Sequence, residues 1–457
     1  MDKSQFLGTE KMGKLFLRLS FPAVVAQLVN LLYNIVDRIY IGNMDNIGDL
    51  ALTGVGVCLP IIMIISAFAA LAGMGGGPRA SIYMGKNDIN TAQKIMGNCF
   101  MFIVMASAVL TAVFLVFGYD MLMLFGASEK TIPYASSYLN IYVIGTIFVQ
   151  CALGMNTFIS AQGFTKMSML SVVIGAVLNI LLDPLFIFVF DMGVQGAALA
   201  TIISQCVSAI WVLGFLMSKH SILKLKFENL KLSSKILLPC LALGISPFVM
   251  QSTESIMNIC FNASLLRYGG DTAVGAMTIL ATLMQFLTLP LIGLAQGAQP
   301  ITSYNFGAHN YERVRSSFKL LLIASLCYSV FFWLIVMLFP GLLASIFTKV
   351  TTLIDYTSWA MRIYMFMAFI YGAQIACQQT LIAIGNAKTS LFLAVLRKLL
   401  LLVPLIYVLP LLFTDKAMSV YLAEPIADTL AVTTTVILFY VNFKKVLKIE
   451  SNDEKPD

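Results

Sequence analysis

The sequence predicts an all-α polytopic membrane protein with twelve transmembrane helices arranged as two parallel six-helix lobes. Three observations lead there. Of its 457 residues, 59% are hydrophobic and only 11% charged, too apolar for a soluble domain of this size, and the short alternating segments of an outer-membrane barrel are missing. The apolar residues also fall into long runs that reach the roughly 20 residues a helix needs to cross a bilayer. Finally, two separated blocks of residues recur at one fixed spacing along the chain.

The first run, near 15–40, follows Lys3, Lys11, Lys14 and Arg18 and has no small-residue cleavage site beyond Phe21, so it reads as a retained helix and not a signal peptide. It carries Gln27, Asn30 and Asn34 and ends at Asp37. Runs near 50–75 and 95–117 supply the second and third spans, and 133–158 the fourth, with Asn156 as a polar candidate. The fifth, near 167–190, holds Asn179 and Asp183 four residues apart on one helix face, followed by Pro184. The sixth, near 195–217, contains Thr201.

A basic stretch, 218–235, then joins the amino-terminal lobe (1–217) to the carboxyl-terminal one (236–457). Spans seven to twelve fall near 236–265, 273–300, 318–342, 356–383, 389–412 and 418–441. The seventh carries Gln251, Ser252, Thr253, Glu254, Ser255 and Asn258, and the twelfth Glu424 and Asp428.

Gly75, Pro78, Ser81 and Gly85 recur as Gly297, Pro300, Ser303 and Gly307, and Ala161, Gly163, Lys166 and Ser168 as Ala383, Gly385, Lys388 and Ser390, every pair 222 positions apart. Two blocks at one offset argue for duplication. An even number of crossings per repeat makes the repeats parallel, with a cavity between them.

Charge sets orientation. Of the 29 basic residues, 23 fall on the loops of one side, with Arg397 and Lys398 counted among them. Six, Arg38, Lys130, Arg267, Lys349, Arg362 and Lys416, fall on the other. The excess places both termini in the cytoplasm, and it makes membrane topology and lipid contact, not nucleic acid, the role of the net charge of +7. Eight cysteines lie singly in apolar stretches without metal-ligand spacing and read as small buried hydrophobes. Gly8 to Lys14 approximates a phosphate-binding loop, but Leu15 stands where Ser or Thr is required and an apolar helix follows. Energy must then come from a gradient or from the substrate's own concentration difference.

Carboxylates in hydrocarbon are expensive and usually face a bundle interior or a water-filled path. Pro184 removes an amide donor and crowds the carbonyl of Ile180, so a bend beside Asp183 offers a site for sodium or a proton. Asp37 falls in the same outer half, and the two acids could share a cation. Glu254 could attract a cationic substrate. The plainer readings are an interfacial Asp37 paired with Arg38, an Asp183 that only fixes the proline bend, and packing hydrogen bonds around Glu254. Glu424 and Asp428, near the external mouth of the last helix, rank lower because a helix end can solvate acids.

With Pro22, Asp37, the block around Gly77, Pro78 and Gly85, and its counterparts Gln296-Gly297-Ala298-Gln299-Pro300 and Asn305-Phe306-Gly307, the chain resembles the multidrug and toxic compound extrusion (MATE) family, in particular its bacterial MepA-like members. The resemblance implies a two-lobed antiporter of the bacterial plasma membrane, functional as a monomer, that exports diverse and often cationic drugs or dyes in exchange for protons or sodium. It implies no catalysis and no cofactor beyond the coupling ion. It assigns ion coupling to Asp37, Asn179, Asp183 and Thr201, which could hold sodium, with Asn156 nearby and Pro184 as hinge. Substrate binding falls to Glu254, Gln251, Asn258, Asn30 and Gln27. The tenth-span acid of some branches has no equivalent apart from Asp355 at its edge, which favours an ion site in the amino lobe. A lipid or glycolipid flippase is the alternative transport function, and an intramembrane enzyme a weaker one, since no nucleophile has an adjacent base.

Overall fold

The computed structural model describes residues 5–44 and 47–452, without the side chains of Ser255 and 446–452. Lys3 and the side chain of Ser255, both singled out above, lie outside the described residues. Everything described is helix or connecting turn.

Nine helices are long and apolar enough to cross a membrane among the described residues, and two bent pairs, Ile132–Ile144 with Thr146–Ala161 (62°) and Thr351–Tyr364 with Ala368–Ala383 (50°), bring the count to eleven. The helix Ser234–Gly307 has 74 residues and passes through Gly270 at φ 67°, ψ −164°. At 1.5 Å per residue it would be about 110 Å long, over three times the hydrocarbon thickness, so it is not one crossing.

The glycine- and proline-rich block 75–85, which falls between the spans expected near 50–75 and 95–117, is helical, as the last third of Gly48–Gly85. A proline costs such a helix one amide donor, and the glycines here meet other main chain. A Cβ on Gly85 would overlap the carbonyl oxygen of Tyr304, and one on Gly307 that of Ile82. The two contacts are related by the same 222-residue offset as the sequence blocks. Gly75 lies against the Cys240 carbonyl, Gly244 against that of Leu71, and Gly297 against the backbone of Ser20. A seam of backbone-on-backbone contacts therefore joins the sequence halves at one end of the molecule. The basic linker lies at this end, where Gln162 Oε1 accepts from the amides of Ile222 and Leu223 and Asn98 Oδ1 from that of Ser233.

The offset recurs in local structure. Ser81 donates to the Ala161 carbonyl at 2.6 Å and Ser303 to that of Ala383 at 2.7 Å. Asp88 accepts from the Thr91 amide and Asn310 from that of Arg313, each capping a helix. Gly163 and Gly385 share φ near 80° (84° and 81°), a conformation that suits glycine. Duplicated residues hold duplicated geometry.

Along their length the helices expose two kinds of face. On Met12–Gly42, Leu32 and Ile39 are exposed, as lipid contact requires. Asn30 and Asn34 project from the roughly opposite side at 100° per residue, and Asn34 is exposed as well. On Ser234–Gly307, exposed Leu238, Ile245 and Ile256 mark the apolar side, with exposed Glu254 and Asn258 opposite. Polar faces of this kind do not belong in hydrocarbon.

Candidate functional site

In the sequence's first half, a cavity of about 160 Å³ is lined by polar side chains from several helices. Gln27, Asn30 and Tyr33 come from Met12–Gly42, Asn156 from the bent pair, Asn179 from Thr165–Pro184 and Thr201 from Gly193–Met217. Gln296 and Gln299 reach in from the second half, and Gln27 Nε2 donates to Gln296 Oε1 at 3.0 Å. Gly175 and Ala176 line the same wall and leave it open by contributing almost no side chain.

Behind this wall lies the acidic pair. Asp183 is fully buried and Asn179 nearly so. Asn179 Nδ2 donates to Asp183 Oδ1 at 3.2 Å and approaches Thr201 Oγ1 at 3.4 Å, bridging the acid to the cavity. Asp37 comes from the other side, its carboxyl within hydrogen-bonding reach of that of Asp183. Tyr33 lies close to both acids. Among the described residues no donor meets Asp37 Oδ1, Asp183 Oδ2 or Asn179 Oδ1, although buried acceptors are normally paired. Two touching carboxylates away from water need a positive partner. The acceptor set suits either a shared proton or a hard monovalent cation held by carboxylate, amide and hydroxyl oxygens.

Immediately after Pro184 the span continues as a wider turn, Leu185–Val189. Irregular turns of this type concentrate at functional positions, and here the change of helical register abuts Asp183. Asn156 donates to the Ser168 carbonyl at 3.2 Å, holding the bent pair against the fifth span.

The proposed substrate residues divide. Gln27 and Asn30 share the first-half cavity with the ion-coupling candidates, whereas Glu254, Gln251 and Asn258 belong to the second half. Glu254 is ion-paired with Lys398.

Lys398 and its neighbour Arg397 are not loop residues. Both are buried in the middle of the helical segment Ala387–Leu412, within the wide-turn stretch Leu396–Leu402. Removing them from the charge count leaves 21 basic residues against six. Nor are Glu424 and Asp428 a solvated helix end: each is 4% exposed, and Arg397 holds them together, its Nε donating to Asp428 Oδ1 at 2.7 Å and its Nη2 to Glu424 Oε1 at 2.8 Å. The Tyr371 ring lies under the guanidinium at 4.8 Å. Two adjacent basic residues within a run long enough to span were the available signal, since charges there are paired. At the 222-residue offset Arg397 and Lys398 correspond to Gly175 and Ala176. Long cationic side chains thus stand in the second half where the first has open wall.

Comparison with known proteins places this geometry. The MatE family model matches residues 22–185 and 247–408. The chain belongs to the MATE family. The two matched segments fall on either side of the linker. The MATE protein described as multidrug export protein MepA of Staphylococcus haemolyticus (strain JCSC1435) is 24% identical over 420 residues, 92% of each chain. That of Staphylococcus aureus (strain MSSA476) is also 24% identical, over 93% of this chain and 94% of its own. Among solved structures, the MATE multidrug transporter DinF-BH is 35% identical, with a TM-score of 0.89 over 96% of this chain and 98% of the other. A second, an outward-facing multidrug resistance MATE transporter, has a TM-score of 0.91 at 22% identity over 98% of this chain and 99% of the other. The chain is therefore a multi-pass membrane transporter of MATE fold, homologous to MepA-type multidrug exporters, and its fold matches secondary transporters.

Proposed function

We propose that this MATE protein is a secondary antiporter of the bacterial plasma membrane that exports organic cations, drugs and dyes among them, in exchange for protons or sodium. The observation that carries the reading is the Asp37–Asp183 pair, linked through Asn179 to Thr201 and the wall of a polar cavity. What relatives are named for supports the substrate class: multidrug export for MepA, and multidrug transport for DinF-BH.

Division of the 74-residue helix at Gly270 raises the eleven crossings to twelve, six on each side of the linker, in two lobes. Both termini and the linker are cytoplasmic in this reading, because basic residues gather on that side. In this reading the seam closes the cytoplasmic end, and the exposed polar faces of Asn34 and Glu254 line an outward opening between the lobes.

In the outward-open form a proton or sodium ion reaches Asp37 and Asp183 and neutralises their repulsion. The loss of negative charge changes what Asn179 must bridge, which alters the cavity wall at Thr201 and disfavours a bound organic cation. Pro184 and the wide turn after it give this span the freedom to rearrange. One proton entering per monovalent cation leaving cancels the electrical work, so each pH unit supplies about 1.4 kcal/mol, a tenfold accumulation.

Reconstitution into proteoliposomes, with sodium and pH gradients imposed independently, tests the reading. Dye export should follow one of the two gradients, and Asp183→Asn should reduce gradient-driven accumulation from about tenfold per pH unit to none while the protein still inserts and folds. Normal ion-driven export by a well-folded Asp183→Asn protein refutes the assignment.

A further inference from the structure

The charged groups of the second half are of two kinds. Arg397 is locked: its side chain is 9% exposed and both its carboxylate partners are buried. Lys398 is equally buried, its side chain 10% exposed, but its acidic partner is not. Its ammonium contacts the Met250 carbonyl at 3.4 Å and pairs with Glu254, whose side chain remains 51% exposed. That exposure is on the polar face shared with Gln251 and Asn258, away from the apolar side marked by Ile256.

Glu254 is thus a half-exposed acid on a polar helix face that already carries a cation of the protein's own, delivered by a neighbouring span. An ammonium on a flexible four-carbon stem is a movable point charge, unlike the forked guanidinium beside it. At the equivalent place in the first half stands Ala176, which lines open cavity.

We propose that Lys398 is a specificity-determining residue, a tethered cation that occupies Glu254 in the absence of substrate and that a cationic substrate must displace. The inference rests on the reading that the exported compounds are organic cations. It adds a selection rule. A compound engages Glu254 only if its own positive charge competes with the amine, and neutral compounds never encounter the barrier. Lys398 remains attached after displacement and re-forms the pair when the substrate leaves, which keeps Glu254 from being stranded without a counter-charge.

The test is equilibrium binding of tetraphenylphosphonium, a permanent monocation, to the full-length protein in lipid nanodiscs, with uncharged triphenylphosphine oxide as the control. Lys398→Gln should bind the phosphonium at least about fivefold more tightly than wild type, the competing pair being half-exposed on the Glu254 side only. Lys398→Arg, whose forked guanidinium is harder to displace from a carboxylate, should bind no more tightly than wild type, and binding of the uncharged control should not change. In the Glu254→Gln background, removal of Lys398 should give no gain. The inference is overturned if Lys398→Gln binds no more tightly than wild type, if the gain survives in the Glu254→Gln background, or if no variant binds the phosphonium. Export by the wild type is measured separately in proteoliposomes, so absence of export overturns the proposed function alone.

Discussion

Replacing Arg397 with methionine isolates the buried charge network. Its guanidinium makes two charge-assisted hydrogen bonds, 2.7 Å to Asp428 and 2.8 Å to Glu424, and both acids are 4% exposed. Such bonds contribute roughly 1.5–3 kcal/mol each, which gives a loss of about 3–6 kcal/mol, in line with the roughly 3–5 kcal/mol cost of breaking a buried pair from one side. Most of that cost is two carboxylates left without a partner, so neutralising them should recover it. The triple variant Arg397→Met/Glu424→Gln/Asp428→Asn should return to within about 1 kcal/mol of wild type, because a buried ion pair and its neutral replacement are often close in energy. Reversible unfolding in mixed micelles, followed by far-ultraviolet circular dichroism across an SDS titration, measures both differences. A single variant as stable as wild type, or a triple variant no better than the single, would refute the view that this cluster is a closed internal network.

Two further outcomes follow from the fold. Gly307→Val puts a side chain where the Ile82 carbonyl sits, so the seam should fail to close and cysteine labelling at the linker end should rise, whereas Gly13→Val, with nothing near its Cβ, should leave labelling unchanged. Asp88 caps the helix Ile89–Leu124. The Thr91 hydroxyl, then its amide, with Lys94 nearby, hold the Asp88 carboxyl below the ordinary carboxylate range. Its stabilisation is therefore present above the unfolded-state pKa near 4 and is lost as pH falls through the lower folded value. Hydrogen exchange at this helix start should speed up in acid for wild type and stay flat for Asp88→Asn, while Asp88→Ala should cost about 1 kcal/mol at neutral pH.

Most of the helical layout was legible because a bilayer accepts few solutions: a long apolar run must be helical to satisfy its own amides. The duplication was legible because Gly85 and Gly307, or Ser81 and Ser303, hold equivalent contacts and tolerate little change. Asp37, Asn179, Asp183 and Thr201 lie together in the structure, and the four-residue spacing of Asn179 and Asp183 already placed those two on one face. Other features depend on partners far along the chain. The block 75–85 reads as a loop by composition, and only the opposing main chain of residues 240 and 304 explains why it is helical. Arg397 and Lys398 fit a rule that assigns basic residues to one membrane face, and nothing local says that Glu424, Asp428 and Glu254 meet them instead. A single span can display its polar face, but it cannot name the span that answers it.

The glycine seam has a consequence for leakage. Where a glycine rests directly on opposing main chain, that contact has no side chain to swing aside for a passing proton or water. That barrier opens only when whole helix ends roll apart, an all-or-none event. In the antiport proposed above, that geometry would suppress uncoupled slip through the cytoplasmic end, whichever compound is carried.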